Sequence, residues 1–254
     1  MLGAIAGDII GSAFEHRSIK TTDFTLFGPG SAATDDSVLT IAVADALMGK
    51  RDFAQTIRQY ARRYPNAGYG GMFIGWMMDE TAGPYNSFGN GSAMRVSPVA
   101  WVAKSKAETL KLAAETAAVT HSHPEGIKGA QATALAVWLA RQGTSAHEIA
   151  QTMTEDFGYD LSVSIKRIRP TYGFDITCQG SVPQALRCAL EARSFEEAVR
   201  LAVSLGGDAD TQACIAGAVA EARFGLPKTI AKKAMTYLTH EQRTIVTQFR
   251  QTYA

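Results

Sequence analysis

The sequence has few of the features that mark secreted or membrane proteins. Its 254 residues include 3 cysteines and no CxxC pair, so no disulfide framework is indicated. No apolar run reaches the ~20 residues needed to span a bilayer. The first ten residues, MLGAIAGDII, are apolar but have no preceding basic region and contain Asp8, unlike a signal peptide. We therefore expect a soluble, cytoplasmic protein.

The sequence also lacks an excess of charge of either sign. Lys and Arg total 25 against 24 for Asp and Glu, which gives a formal net charge of +1. A balanced chain presents no broad field to nucleic acid or to a membrane surface. This balance favours a small-molecule partner.

The third absence is alternation of apolar and polar residues with period two, the signature of half-buried strands. Apolar residues recur instead at helical spacing, and neither linkers nor repeats interrupt them. The pattern predicts an all-α, single-domain bundle over residues 1–254. Two helices are opened by the capping boxes Ser145/Glu148 and Ser194/Glu197. The other predicted helices are 2–14, 35–49, 52–64, 70–79, 91–102, 106–121, 124–142, 181–192, 210–224, 227–238 and 240–252.

Oxygen-bearing side chains cluster at two predicted helix entrances, at residues 34–36 and 208–211. Thr34, Asp35 and Asp36 form the first group, and Asp208, Asp210 and Thr211 form the second. Aspartate commonly caps helices, but one cap per helix is enough. The surplus carboxylates favour a dinuclear site for hard cations such as Mg²⁺ or Mn²⁺.

Two other interpretations of the motif GGDADT are disfavoured. The pattern D-x-D-x-T also occurs in phosphotransferases of the haloacid dehalogenase type, where the nucleophilic Asp ends a β-strand, but the preceding residues here have helical spacing. An EF-hand is excluded because Val219 stands where the loop needs its terminal Glu.

Five blocks in chain order resemble the motifs of the ADP-ribosylglycohydrolase family. They are GAIAGDIIGSAFE, TDDS, GNGSAMRVSP, THSHPEG and GGDADTQACIAGAVAEARFG. The resemblance implies an all-helical orthogonal bundle, two Mg²⁺ or Mn²⁺ ions as cofactors, and hydrolysis of the glycosidic bond between ADP-ribose and its acceptor. It also implies the metal ligands Thr34, Asp35, Asp36, Asp208, Asp210 and Thr211.

The same resemblance implies roles for further residues. Asp8 is expected to hold structure, and Glu15 to lie beside the metals. The general base is expected among Glu15, Asp35, Asp36 and Asp210. Residues 180–186 resemble the segment that borders the adenine, without its usual aromatic residues. The residues implied to bind the ligand are Gly89, Asn90, Gly91, Ser92, Met94 and His121.

The acceptor stays open at this stage. ADP-ribosylarginine on a protein is the leading expectation, with serine, a nucleic-acid base or a small molecule as alternatives. Two other hypotheses for the function remain. The protein is either a metal-dependent phosphohydrolase of an ADP-ribose-like nucleotide or a catalytically silent ADP-ribose-binding module. We expect the protein to be a monomer.

Overall fold

A computed structural model of the chain describes residues 1–254 and contains helices joined by turns and loops, without a β-sheet. The all-α prediction is confirmed. The only β-type pairing is an isolated bridge between Gly89 and Thr177. The helices are α1 Leu2–Gly11, extended by a 3₁₀ turn Ser12–Phe14, α2 Asp35–Gly49, α3 Phe53–Arg63, α4 Gly71–Met78, α5 Gly91–Met94, α6 Val99–Val102, α7 Lys106–Ala118, α8 Pro124–Arg141, α9 Ala146–Phe157, α10 Ile165–Ile168, α11 Cys178–Glu191, α12 Phe195–Val203, α13 Ala209–Phe224, α14 Lys228–Met235 and α15 His240–Tyr253.

Local sequence signals explain where many helices begin. Ser145 and Glu148 form the reciprocal capping box that the sequence predicts. The second predicted box is only half formed: Ser194 accepts from the Glu197 N–H, but the Glu197 carboxylate accepts from Arg193 instead. Side-chain caps of this kind satisfy backbone donors that the first helical turn leaves free.

Two predicted helices clearly differ from the structure, and one helix of the structure was not predicted. The helix predicted over 91–102 is two short helices, because Pro98 has no N–H to continue the hydrogen-bond ladder. The helix predicted over 181–192 begins earlier, at Cys178, where the Thr177 hydroxyl accepts from the Gly180 N–H. The four-residue helix α10 was not predicted, since so short a segment shows no apolar period.

The centre of the bundle is a close antiparallel pair, α1 and α13. Every residue of α1 is buried, and α13 is buried from Ala209 to Glu221. A Cβ built on Gly7 would lie 2.0 Å from the Ala213 carbonyl oxygen, so only glycine permits this approach. The pair lies within one continuous hydrophobic core to which α2, α8, α11 and α12 contribute. The antiparallel arrangement brings the end of α1 beside the start of α13.

The irregular segment between α1 and α2 is held against the start of α13. Ser18 Oγ donates to the Gly206 carbonyl at 2.8 Å, and Lys20 Nζ donates to the Tyr172 carbonyl at 2.6 Å. Arg200 of α12 donates to the carbonyls of Thr22 and Phe24. These contacts fix the loop that carries Glu15 at its beginning. No helix in the structure is both long and apolar enough to cross a membrane.

Candidate active site

A cavity of about 740 Å³ opens where the ends of α1, α2 and α13 meet the loop before α5. One end of the cavity is lined by the carboxylates of Glu15, Asp35, Asp36, Asp208 and Asp210. The glycine-rich turn at residues 89–91 lines another part of its wall. The antiparallel packing of α1 on α13 therefore brings together acids that are far apart in sequence.

The acids form two groups that share one member. Carboxylate oxygens of Asp8, Asp36 and Asp210 all lie within 4.8 Å of one another, and so do those of Glu15, Asp208 and Asp210. Asp210 belongs to both groups, which makes it the residue that joins them. Asp35 lines the cavity beside the groups without being a member of either.

Asp8 anchors α2 to α1. Its carboxylate accepts hydrogen bonds from the Thr34 N–H at 3.0 Å, the Thr34 hydroxyl at 2.6 Å and the Ser37 N–H at 3.1 Å. The Ser37 hydroxyl also donates to it. These contacts occupy both oxygens and agree with the structural role expected for Asp8, although Asp8 also lies against Asp36 and Asp210.

The remaining acids are oriented by neighbouring polar side chains. Asn90 Nδ2 donates to Asp208 at 2.7 Å and to Ser181 Oγ at 3.1 Å, which ties the glycine-rich turn to the acidic end of the cavity. Thr211 Oγ1 donates to Asp36 Oδ2 at 3.3 Å. Thr34 Oγ1 accepts from the Asp36 N–H and thereby caps α2. Both threonines predicted at the site thus contact its acids.

Burial and mutual repulsion raise the pKa values of these carboxylates. Desolvation is the larger cause at Asp35, followed by Asp8 and Asp208, and it raises the pKa of Asp35 to about 8. The pKa values of Asp36 and Asp210 are raised well above the usual range by burial and then by neighbouring aspartates. Burial also raises the pKa of Glu15. The site concentrates negative charge that water does not offset.

These features fit a hard cation. Asp36 Oδ1 is buried and has no hydrogen-bond partner, although an uncompensated buried carboxylate oxygen is costly. Apart from a 3.7 Å contact between His16 and Glu15, these carboxylates make no ion pair with a basic side chain. Oxygen donors without nitrogen or sulfur partners are the ligand set of Mg²⁺, Mn²⁺ or Ca²⁺. The clusters could therefore hold metal.

The glycine-rich turn is fixed by backbone contacts. The Asn90 N–H donates to the Ile176 carbonyl at 2.8 Å, and the Cys178 N–H donates to the Phe88 carbonyl at 2.9 Å. Gly89, Asn90, Gly91 and Met94 line the cavity. Ser92 does not line the cavity: it is fully buried, and its hydroxyl donates to the Gly126 carbonyl at 2.7 Å.

The two histidines of the sequence THSH occupy different places. His121 is only 5% exposed and lines the cavity beside the glycine-rich turn. His123 is the N-cap of α8, where its Nδ1 accepts from the Glu125 N–H at 3.1 Å. His123 therefore caps a helix and is not among the residues that line the cavity.

Sequence reasoning missed part of the cavity wall. Phe88, Phe174 and Ile176 line the cavity with exposed side chains at 45%, 59% and 58%. The segment expected beside the adenine, residues 180–186, lies within α11 and contributes no residue to the lining. Phe88 adjoins the glycine-rich turn in sequence, which was an available signal. Arg95, also missed, is a fully buried arginine at the cavity wall.

Comparisons with known proteins agree with this geometry. The chain is 28% identical to the ADP-ribosylhydrolase ARH3 of Danio rerio, over 89% of this chain and 82% of that protein. It is 26% identical to the human ADP-ribosylhydrolase ARH3, over 98% and 90% of the two chains. The ADP-ribosylarginine hydrolase Tri1 of Pseudomonas putida (strain GB-1) is 26% identical, over 89% of this chain and 70% of its own.

Structural similarity supports the same fold. A solved ADP-ribosylglycohydrolase-related protein complex matches with a TM-score of 0.72 at 23% identity, covering 98% of this chain and 96% of that one. The family model for ADP-ribosylglycohydrolases matches residues 1–250. The chain therefore belongs to the ADP-ribosylglycohydrolase family of hydrolytic enzymes.

Proposed function

We propose that this protein is a metal-dependent hydrolase that cleaves the glycosidic bond between ADP-ribose and an arginine side chain of a protein. The observation that carries the proposal is the convergence of carboxylates from α1, α2 and α13 at one end of a cavity whose wall includes a glycine-rich turn. Such a cavity offers a cation site and a place for a diphosphate in the same enclosure.

Two Mg²⁺ or Mn²⁺ ions are the proposed cofactors. The residues that would hold them are Thr34, Asp35, Asp36, Asp208, Asp210 and Thr211. When bound, such ions fix ribose hydroxyls and increase the acidity of a water molecule near the anomeric carbon. The buried carboxylates of Asp36 and Asp210 supply the negative charge that retains cations there.

Glu15 is the proposed proton acceptor for the attacking water. Its side chain is 29% exposed, whereas Asp36 and Asp210 are buried. Its pKa is raised by burial, which brings a carboxylate closer to the neutral range where a general base works best. Glu15 can therefore exchange a proton with solvent water after each turnover.

The glycine-rich turn beside the acids is the proposed binding site for the ADP-ribose moiety. The Gly89 and Asn90 N–H groups donate to Ser87 and Ile176, so the Gly91 N–H is the backbone donor at this turn that a diphosphate can approach closely, because Gly91 has no side chain in the way. Met94 and His121 complete this part of the wall. Ser92 makes no contact with this part of the site, since it does not line the cavity and its hydroxyl is used within the core.

Charge supports arginine as the acceptor. The guanidinium group is the only common acceptor that carries a permanent positive charge. A carboxylate-rich group whose one basic neighbour is His16, 3.7 Å from Glu15, favours a cationic acceptor over a neutral serine oxygen. The relative Tri1 is also an ADP-ribosylarginine hydrolase.

The test is a comparison of linkages. The purified protein is incubated with ADP-ribose joined to an arginine peptide, a serine peptide or DNA, with Mg²⁺, with Mn²⁺ or with a chelator, and products are identified by mass spectrometry. We expect free ADP-ribose and unmodified arginine peptide only when metal is present. Release of inorganic phosphate would instead indicate a phosphohydrolase, and binding without any product would indicate a silent module.

A further inference from the structure

Arg95 lies within the bundle without a carboxylate partner. It follows α5, its side chain is fully buried, and its Nε and Nη1 atoms have no hydrogen-bond partner. Only Nη2 is bonded, to the Thr116 carbonyl at 2.9 Å and to Thr120 Oγ1 at 2.7 Å. Burying a guanidinium without a carboxylate partner is costly. Of the two hydrogen bonds that Arg95 makes, the one to the Thr120 hydroxyl connects it to a residue of the cavity wall.

Thr120 links Arg95 to His121. Thr120 Oγ1 lies 2.7 Å from His121 Nδ1 as well as 2.7 Å from Arg95 Nη2. A guanidinium can only donate, so the threonine oxygen accepts from Arg95. The single hydroxyl proton of Thr120 is then free to point at Nδ1. A ring that accepts at Nδ1 carries its own proton on Nε2.

The other nitrogen of the ring faces the glycine-rich turn. A Cβ built on Gly91 would lie 3.2 Å from His121 Nε2, and one built on Gly89 would lie 3.6 Å from it. Burial, and then the charge of Arg95, hold the pKa of His121 well below its usual value. The ring is therefore neutral near pH 7 and has one N–H, so its tautomer decides whether Nε2 can donate.

We propose that Arg95 and Thr120 are positioning residues that hold His121 in the Nε2–H tautomer, so that the ring donates a hydrogen bond to a diphosphate oxygen of the ligand at residues 89–91. The identity of the ligand rests on the proposed function, whereas the tautomer does not. The competing arrangement involves Tyr85, whose hydroxyl also lies close to Thr120. If Thr120 donated to Tyr85, His121 would carry its proton on Nδ1 and present a bare Nε2.

The tautomer can be read directly in the ligand-free protein. Histidine-selective ¹⁵N labelling and long-range ¹H–¹⁵N correlation spectra distinguish the two tautomers, and His121→Gln assigns the signal. We expect the Nε2–H form in the wild type and in Thr120→Ser, which keeps the hydroxyl. Thr120→Val, which has the same shape without the hydroxyl, should lose the upfield shift that a hydrogen bond gives to the accepting Nδ1. An Nδ1–H ring in the wild type, or an Nδ1 signal that is the same in Thr120→Val, would overturn the proposal.

Ligand binding tests the consequence. With metal present, Thr120→Val should weaken ADP-ribose binding roughly tenfold or more, the scale of a hydrogen bond to a charged group. Thr120→Ser should bind as the wild type does. Glutamine at position 121 places an amide N–H near the Nε2 position, so Thr120→Val should have no further effect on the His121→Gln variant.

The outcomes separate this proposal from the proposed function. Equal affinity of Thr120→Val and the wild type for ADP-ribose would refute the donor role of His121. A wild type that does not bind ADP-ribose at all would refute the proposed ligand, and the spectra would still decide the tautomer. A thermal shift with metal alone, unchanged in Thr120→Val, shows that the variant retains its fold and its acidic site.

Discussion

Asp8 and Asp36 lie in the same buried group, but their surroundings give them opposite roles. Donors from Thr34 and Ser37 surround Asp8, whereas Asp36 has one oxygen with no donor at all. A carboxylate surrounded by N–H and O–H groups stabilises the fold, and one that lacks them is available to a cation. Both residues are aspartates, so their hydrogen bonds, and not their residue type, distinguish the one that anchors two helices from the one that is available to a metal ion.

Asp8→Asn tests the anchoring role. Asp8 Oδ2 accepts both N–H groups and the Ser37 hydroxyl, so the amide oxygen can replace it. The amide NH₂ would then face the Thr34 hydroxyl, which now donates to Oδ1 and would lose its acceptor. We expect the free energy of unfolding to fall by about 3 kcal/mol. Urea denaturation of the chelated protein measures it. Asp23→Asn, at an exposed acid, is the matched control, and equal midpoints for the two variants would contradict the anchoring role.

Asp210→Asn and Glu15→Gln should separate cation binding from proton transfer. Asp210 belongs to both carboxylate groups, so Asp210→Asn should remove most of the metal-induced thermal shift and lower kcat roughly a hundredfold or more. Glu15→Gln should lower kcat on a similar scale but keep most of the thermal shift, since the group of Asp8, Asp36 and Asp210 stays intact. Calorimetric titration with Mn²⁺ and single-turnover rates provide the two readouts. Identical profiles for both variants would show that Glu15 is a ligand rather than the base.

The sequence predicts the acids of this site, but it misses the residues that reach the cavity from separate loops. Surplus acids at residues 34–36 and 208–211 stand out because one cap per helix is enough. Ser92 belongs to the same motif as Asn90, yet its side chain points into the core toward Gly126. Arg95 and Phe174 were missed, because their place at the cavity depends on how separate loops meet. The spacing of residues along one segment carries no information about which distant loops pack against it.

At the scale of elements, caps and periodicity predict most helices well. Helices α2, α7 and α13 begin within a residue or so of the predicted starts, because polar caps precede apolar periods. Two of the differences occur near proline: Pro98 divides one predicted helix, while Pro183 lies inside α11, a helix predicted to begin only two residues before it. Tertiary packing decides which proline a helix tolerates.

The contact between α1 and α13 allows a matched pair of glycine substitutions. Gly7→Ala places a methyl group against the Ala213 carbonyl, so the two helices must separate. We expect unfolding to become easier by about 3 kcal/mol or more, with weaker Mn²⁺ binding because Glu15 and Asp210 move apart. Gly75→Ala in the exposed part of α4 meets no atom within 4 Å and should stabilise the protein by about 0.5–1 kcal/mol. Thermal unfolding and calorimetry of both variants test this, and a stable Gly7→Ala variant would mean that the helices do not approach so closely.

For the whole molecule, the acidic site makes stability depend on both pH and metal. The pKa values of Asp35, Asp36 and Asp210 are raised in the folded chain, chiefly by burial, and that of Asp35 to about 8. A carboxyl group with a raised folded pKa contributes stability that is fully present below its unfolded pKa of about 4. That contribution is lost as the pH rises through the folded pKa. The metal-free protein should therefore lose stability toward alkaline pH.

Between pH 6.5 and 8.5 the buried acids lower stability, while the buried Met1 ammonium, whose pKa is lowered by burial from an unfolded value of about 8, changes it in the opposite direction. The comparison of the wild type with Asp210→Asn cancels the contribution of Met1. The folded pKa of His121 is lowered by burial, so its contribution changes mainly below the unfolded histidine value of about 6.5. Within the window, the melting temperature of the chelated protein should fall as the pH rises, because Asp35 and its neighbours must ionise in the folded state. Asp210→Asn removes one of the mutually repelling acids and should make that fall shallower.

Metal should reverse the trend. A divalent cation binds the ionised carboxylates and not the protonated ones, so the stabilisation it gives grows as the pH rises. The difference in melting temperature between the Mn²⁺-loaded and the chelated protein should therefore be larger at pH 8.5 than at pH 6.5. The same difference should be small at both values in Asp210→Asn, which lacks the acid shared by the two groups. Scanning calorimetry at fixed ionic strength measures all of these temperatures. A pH dependence that is the same in the chelated wild type and in chelated Asp210→Asn would mean that the buried acids are already compensated without metal, and a metal-induced difference independent of pH would mean that the cation binds away from them.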